Sequence, residues 1–386
     1  MSTRRDMSQP PASLLDDHDD MLREILLRLP PRPSSLLRAS LVCKRWRTLV
    51  ADPQFQRRFR DHHGGKPPLL GFFLQDSISC EFVPILDRPD RIPEARFSMP
   101  PRESYGYRIV DCRHGLVLFL GDMMMRRLLL WDPVAREQRW LILPPELENA
   151  QPFFFNGAVL RHAGAQRWHF QVALIARAGV CARVLVWLYS SETRTWGSIN
   201  SPQLQSIHCM PQPSTLVGNS FCWLLTMHDR CAILEFDLDS QSLALTELPP
   251  HIGMEAGIFH KLLLIMPSQG GGLGFIHLSQ LHAQLWKREP DSDGLAVWVL
   301  DRVIEFGELR STCKGYSLTL VGFAEESNAI LVLTASGVFI VYLQSMEFKK
   351  LSDTTSFCLH YPFACFYPAG TGIGDGHGGD AVLNNI

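Results

Sequence analysis

Hydrophobic residues change their spacing once along this chain, at the breaker cluster Gly64, Gly65, Pro67 and Pro68. Before it the spacing is helical. Met21, Leu22, Ile25, Leu26 and Leu29 form one stripe that predicts a helix from Asp20 to Leu29, ended by Pro30 and Pro31. The acidic run Asp16, Asp17, Asp19 and Asp20 precedes it and suits the positive end of a helix dipole. Ser34, after Pro33, predicts the N-cap of a second helix running through Leu36, Leu37, Leu41, Val42, Trp46 and Leu49. Asp52 followed by Pro53 predicts a third, short helix to about Asp61, with Phe55 and Phe59 on one face.

After Pro68 short runs rich in Val, Ile, Leu, Phe and Trp alternate with turn residues, as in an all-β domain. These runs include Leu116–Leu120, Leu128–Trp131, Val184–Tyr189, Phe221–Leu225, Ala232–Phe236, Val297–Leu300, Ala329–Leu333 and Val338–Leu343. A weak repeat joins an aromatic-bearing strand to a turn and a polar strand. Its copies start at Trp131-Asp132-Pro133, Trp187-Leu188-Tyr189, Phe236-Asp237-Leu238, the stretch from Trp286 to Trp298, and Val341-Tyr342-Leu343. The step of roughly fifty residues suits a four-stranded propeller blade and predicts about six blades. A β-sandwich pair or an irregular barrel is the alternative.

The fold class expected is therefore α+β in separate domains. Residues 1–14 form a disordered tail, 15–63 a three-helix domain, 64–68 a linker, 69–367 the β domain, and 368–386 a disordered Gly-rich tail. A chain of 386 residues with 46% apolar and 20% charged residues accommodates this as an ordinary globular protein. Its formal net charge of -2 gives no overall attraction to nucleic acid. The basic stretch from Arg28 to Arg60 lacks helix-turn-helix or zinc-finger spacing and reads as a solvated helix surface. No membrane-length apolar run occurs, and Met1–Gln9 has no apolar signal-peptide core. The ten cysteines include no C-x-x-C pair and read as reduced thiols, which implies cytosol or nucleus.

Candidate catalytic chemistry is sparse. There is no G-x-S-x-G elbow, H-E-x-x-H helix or Walker A loop. Gly270–Gly274 lacks the Lys-Ser/Thr of a phosphate cradle and reads as an inter-strand loop. His62 and His63 fall at a helix end, and His162, His169, His208 and His360 follow no metal-ligand spacing. Glu325-Glu326 and Asp291/Asp293 read as solvated turn carboxylates. No catalytic residue, cofactor or metal is expected.

The stretch Asp16–Phe59 resembles the F-box. Its most specific part is Leu41-Val42-Cys43-Lys44-Arg45-Trp46-Arg47 followed by Asp52-Pro53-Gln54-Phe55, preceded by Ile25-Leu26-Leu27-Arg28-Leu29-Pro30. The family commonly opens with Leu-Pro where this chain has Asp17-His18. The resemblance implies docking onto a Skp-type adaptor, which links the chain to a cullin scaffold for ubiquitination of a target protein. The positions matching the adaptor-facing set are Leu22, Leu26, Leu29, Leu37, Val42, Cys43 and Trp46, with Trp46 the expected energetic anchor. Ile25, Leu41 and Leu49 are expected to hold the small helical core. Trp131-Asp132-Pro133 after Leu128-Leu129-Leu130, and Cys112 to Leu118, resemble pieces of the F-box-associated, kelch-like propellers of plants. Two further readings stay open: an F-box protein acting outside a cullin ligase, and a propeller hydrolase or carbohydrate-active protein with an appended docking module.

Overall fold

The computed structural model describes residues 12–75, 80–98, 106–121, 127–144, 147, 155–162, 169–178, 183–200, 208–209, 212–226, 230–250, 252, 262–279, 282–307, 309 and 318–366. Of the expected disordered tails, 1–14 and 368–386, all but residues 12–14 lie outside the described residues, and 12–14 are not a disordered tail but the first turn of a helix. The chain forms two compact units.

The helical unit contains α1 (Ala12–Leu27), α2 (Pro33–Ser40), α3 (Lys44–Ala51) and α4 (Pro53–His62). Four helices replace the three predicted. The long second helix is interrupted at Leu41–Cys43, where Cys43 adopts an extended conformation (φ -162°, ψ 171°) as the N-cap of α3. The first helix begins at Ala12, so the acidic run lies inside it and not before it. Asp19 and Asp20 pair with Arg45 and Arg23. The α4 expectation holds: the Asp52 carboxylate accepts from Gln54 N at 3.0 Å, and Pro53 occupies the first turn. The core consists of Leu26, Leu27, Leu36, Ala39, Leu49, Val50, Phe55 and Phe59.

Residues 86–93, together with Cys365 and Phe366, belong to this unit although the sequence reading assigned them to the β domain. Buried Asp90 shows why. Ser34 is not the N-cap of α2; Arg32 holds that position and offers no side-chain cap. The orphan Ser34 N–H instead donates to Asp90 Oδ1 at 3.0 Å, fifty-six residues away. Asp90→Ala should weaken α2 by about 1–2 kcal/mol, read as roughly tenfold faster amide hydrogen exchange in that helix.

The second unit is a six-bladed β-propeller. Its first sheet is β1 (Leu69–Gln75) between β2 (Cys80–Pro84) and the last strand, β24 (Leu359–Ala364). The next is β3 (Tyr107–Arg113), β4 (Leu116–Gly121), β5 (Arg127–Asp132) and β6 (Glu137–Ile142). Then come β7 (Phe155–Arg161), β8 (Phe170–Ala178), β9 (Arg183–Ser190) and β10 (Thr195–Asn200). The fourth has β13 (Ser220–Thr226), β14 (Cys231–Asp237) and β15 (Ser242–Glu247), with β11 (His208–Cys209) and β12 (Thr215–Val217) sharing the inner edge of β13. The fifth is β16 (Leu263–Pro267), β17 (Leu273–Ser279), β18 (His282–Pro290) and β19 (Ala296–Glu305). The sixth is β20 (Thr319–Ala324), β21 (Ala329–Thr334), β22 (Gly337–Tyr342) and β23 (Phe348–Ser352). All pairings are antiparallel, and β1–β24 joins the two ends of the domain, which closes the ring of blades.

All five copies of the sequence repeat fall on the third strand, turn and fourth strand of a blade. In each, a residue with positive φ immediately precedes or lies near the start of the fourth strand: Arg136, Arg194, Gln241, Gly294 and Met346. The turn aspartates organise these hairpins. Asp132 Oδ1 accepts from Ala135 N at 2.9 Å, and Asp237 Oδ1 accepts from Ser240 N at 2.7 Å. Fourth-strand tryptophans then lock successive blades. Trp196 Nε1 donates to the Ile142 carbonyl and Trp298 Nε1 to the Glu247 carbonyl. Among the described residues, the sheet formed by the two ends of the propeller has three strands, with no third-to-fourth-strand hairpin and no copy of the repeat.

Candidate functional site

On the helical unit the predicted adaptor-facing residues separate into three groups. Leu26 is fully buried in the core. Leu22, Leu29 and Trp46 are half-buried and pack against that core, and Leu37 is also half-buried. Val42 and Cys43 are exposed. The two residues expected inside, Ile25 and Leu41, lie outside at 54% and 68% exposure; Leu49 is buried as expected.

Helix geometry explains both reversals. The α1 stripe spans two faces: Leu22 and Leu26 turn inward, followed by Leu29 just past the helix end, while Met21 and Ile25, four residues apart, form an outward ridge. Leu41 would face inward on a continuous helix. The break at Leu41–Cys43 instead presents Leu41 and Val42 on a turn. Arg45, in the first turn of α3, pairs with Asp19 of α1, and Arg58 of α4 pairs with Glu24 at 2.9 Å. These ion pairs tie the helices together around side chains that the unit itself leaves uncovered. Four large apolar side chains, Met21, Ile25, Leu41 and Val42, are therefore exposed on this unit.

The propeller carries a different constellation at its centre. Arg113, at the end of β3, is 5% exposed and donates from Nη1 to Asp111 Oδ2 at 2.8 Å. It forks onto Glu325 through Nε (3.0 Å) and Nη2 (2.7 Å), and donates to the Ser214 carbonyl at 2.9 Å. Asp111 Oδ2 also accepts from Val159 N of β7, and Glu325 Oε1 from Leu216 N of β12. The guanidinium thus connects three blades directly, and Asp111 extends the network to a fourth through Val159. His114 and Gly115, both at positive φ, form the tight β3–β4 turn that follows Arg113.

Glu325 and Glu326 were expected to be solvated. Glu325 instead pairs with Arg113, and burial, reinforced by the neighbouring Glu325 charge, pushes the Glu326 carboxyl up to about 7. Burial pushes Asp111 up to about 6 against the opposing pull of Arg113, so it is largely ionised at neutral pH. Burial alone would depress the Arg113 guanidinium, but Asp111 and Glu325 outweigh it and hold it charged. The sign for Glu326 is that of a raised acid. Its contribution opposes folding progressively as pH rises from about 4.5 to about 7. Glu326→Gln should therefore raise stability at pH 8 by about 1–2 kcal/mol and leave it unchanged near pH 4, measured by urea titration at both.

The cavity beside this network measures about 40 Å³, far below the roughly 300–1,000 Å³ of small-molecule sites. It suits a structural role at the propeller axis. His62 and His63 end α4 as expected, and the His162 and His169 rings lie 4.6 Å apart, tilted by 34°, with His169 Nε2 on Glu192 at 2.6 Å. No group of three or more metal-ligating side chains occurs among the described residues.

The chain thus joins a small helical unit that exposes Met21, Ile25, Leu41 and Val42 to a six-bladed propeller. The F-box domain family matches residues 18–58, and the family described as F-box protein AT5G49610-like, beta-propeller, matches residues 108–369. The chain belongs to this F-box β-propeller family. Among its relatives, the F-box/kelch-repeat protein At3g61590 of Arabidopsis thaliana is 27% identical over 47% of this chain and 44% of its own length. The putative F-box protein At3g52320 of the same plant is 23% identical over 60% of each chain. The chain thus spans about half the length of these relatives. Among solved structures, a nidogen/laminin complex overlaps with a TM-score of 0.42 and 12% identity, over 75% of this chain and 96% of that one. The Dos1 propeller overlaps with a TM-score of 0.37 and 10% identity, over 74% and 68%.

Proposed function

We propose that the chain is a substrate receptor of a Skp-cullin-F-box ubiquitin ligase. The helical unit docks onto a Skp-type adaptor, the adaptor joins it to a cullin, and the propeller holds the target protein. The chain makes and breaks no bond itself; it contributes proximity and orientation to a transfer performed by other subunits. The observation that carries this reading is the exposed ridge of Met21, Ile25, Leu41 and Val42 within a segment that matches the F-box. An apolar ridge suits helix-to-helix docking and offers nothing to a polar ligand or a phosphate backbone.

Within this reading the docking set is Ile25, Leu41, Val42 and Cys43 at the surface, with Leu22, Leu29, Leu37 and Trp46 contributing their half-exposed edges. Leu26 supports the set from the core. The cytosol and nucleus are the compartments where such ligases and reduced cysteines coexist. Co-purification with a Skp-type adaptor tests the proposal, comparing the full chain with a version lacking residues 1–65. The full chain should retain the adaptor and the shortened one should lose it. Equal retention, or none by the full chain, would refute the assignment.

A further inference from the structure

A second cleft, of about 240 Å³, opens along the fifth blade of the propeller, where the blade faces β20–β23. Met266, Leu285 and Phe323 supply apolar walls, and Lys287, Asp301 and Arg302 supply charge. Two consecutive residues of a β-strand normally point to opposite faces. Asp301 and Arg302 nevertheless both line this cleft. The cause is a β-bulge: the register between β18 and β19 steps from Leu300 opposite Trp286 to Arg302 opposite Leu285, leaving Asp301 as the extra residue. Bulges that re-aim side chains recur beside functional sites.

The charges in the cleft are unequally matched. Lys287 Nζ is held by Glu289 at 2.8 Å and by Asp301 at 3.0 Å, so its charge is answered. Glu325, also on the cleft wall, is engaged by Arg113. Arg302 has no carboxylate partner among the described residues. Its Nη2 donates to the Leu343 carbonyl at 2.7 Å, and its Nε is buried without a hydrogen-bond partner. A buried guanidinium donor with no acceptor is costly, and the group that satisfies a planar fork best is a carboxylate.

The neighbouring surface indicates what carries that carboxylate. β19 is the outermost strand of its sheet, ten residues long, and among the described residues it pairs with β18 alone. Its free edge is flanked by exposed Val297, Val299, Leu300 and Val303. An open strand edge is a template for an extended segment, with pockets beside it selecting alternate side chains. The cleft is smaller than a typical metabolite site and matches one acidic side chain with its apolar neighbours.

We infer that Arg302 and the β19 edge form a target-capture site for an extended peptide segment bearing an internal aspartate or glutamate flanked by apolar residues. This deepens the substrate-receptor reading and rests on it only for biological meaning, because the binding can be measured without an adaptor.

The test uses the full chain and immobilised pools of short peptides with both ends blocked, randomised among Val, Leu, Thr and Ser around a fixed central residue. The glutamate-centred pool should be retained about tenfold to a hundredfold better than the glutamine-centred pool. Arg302→Met should erase that difference, and Arg302→Lys, which keeps charge but lacks the fork, should retain part of it. Should the methionine variant fail to fold, the glutamate–glutamine comparison on the unaltered chain still decides. Equal retention of both pools, no retention of either, or preference for a glutamine-centred pool with a free C-terminal carboxylate would overturn the proposal. Adaptor binding, measured on the same preparations, should be unaffected by either Arg302 variant. Its loss in the unaltered chain would count against the ligase reading alone.

Discussion

Arg113→Met is expected to destabilise the propeller by about 3–5 kcal/mol, because it removes one partner from a buried network and leaves two carboxyl groups without their counter-charge. Asp111 and Glu325 would then face each other across the propeller axis without the guanidinium that both contact. The Ser214 carbonyl would lose its donor as well. The backbone donors from Val159 and Leu216 would remain, anchoring the stranded carboxylates where they repel. Urea denaturation followed by tryptophan fluorescence measures the loss. Arg113→Lys should recover only part of it, since an ammonium cannot reproduce the two-pronged contact with Glu325. Replacing Asp111, Arg113 and Glu325 together with apolar residues of similar volume should be milder than Arg113→Met alone. A loss under about 1 kcal/mol for Arg113→Met would show that the network does not hold the blades together.

The paired substitution Ile25→Glu and Leu41→Glu is expected to weaken adaptor binding by at least about a hundredfold, as loss of two central apolar contacts does at other interfaces. Both side chains are more than half exposed in the chain alone, so the substitution should leave its melting temperature nearly unchanged. Leu26→Glu makes the contrast. It places a charge in the core beside Phe55 and Phe59 and should unfold the helical unit before any interface is reached. Titration of the adaptor into each variant, with a melt alongside, separates the cases. Undiminished affinity of the doubly charged variant would mean that the exposed ridge is not the docking surface.

Much of this architecture was legible in the residues because local chemistry dictates it. Asp52-Pro53 starts α4, and Gly64, Gly65, Pro67 and Pro68 end the helical segment where the two units divide. The repeat was readable because a fourth strand must begin after a turn, and Asp132 and Asp237 organise their turns from within a few residues. What the sequence hid is non-local or depends on a small rotation. Asp90 completes α2 from fifty-six residues away, and nothing near Ser34 announces it. Cys43 breaks a helix without a glycine or proline, and that break moves Leu41 from the expected core to the surface. Glu325 and Glu326 follow an apolar strand as turn residues do, yet the ring closes Glu325 against Arg113. The Cys112-Arg113-His114-Gly115 segment did stand out, but only as a resemblance. Its spacing to Glu325, 212 residues on, acquires meaning only when the blades surround a common axis.

The most direct test of the receptor reading is to mix the purified chain with a Skp-type adaptor and a cullin and weigh the assembly that elutes from a sizing column. The reading predicts one complex containing all three, lost together when Ile25 and Leu41 carry charge. A complex of chain and adaptor that excludes the cullin would contradict it and place the protein's role outside a cullin ligase.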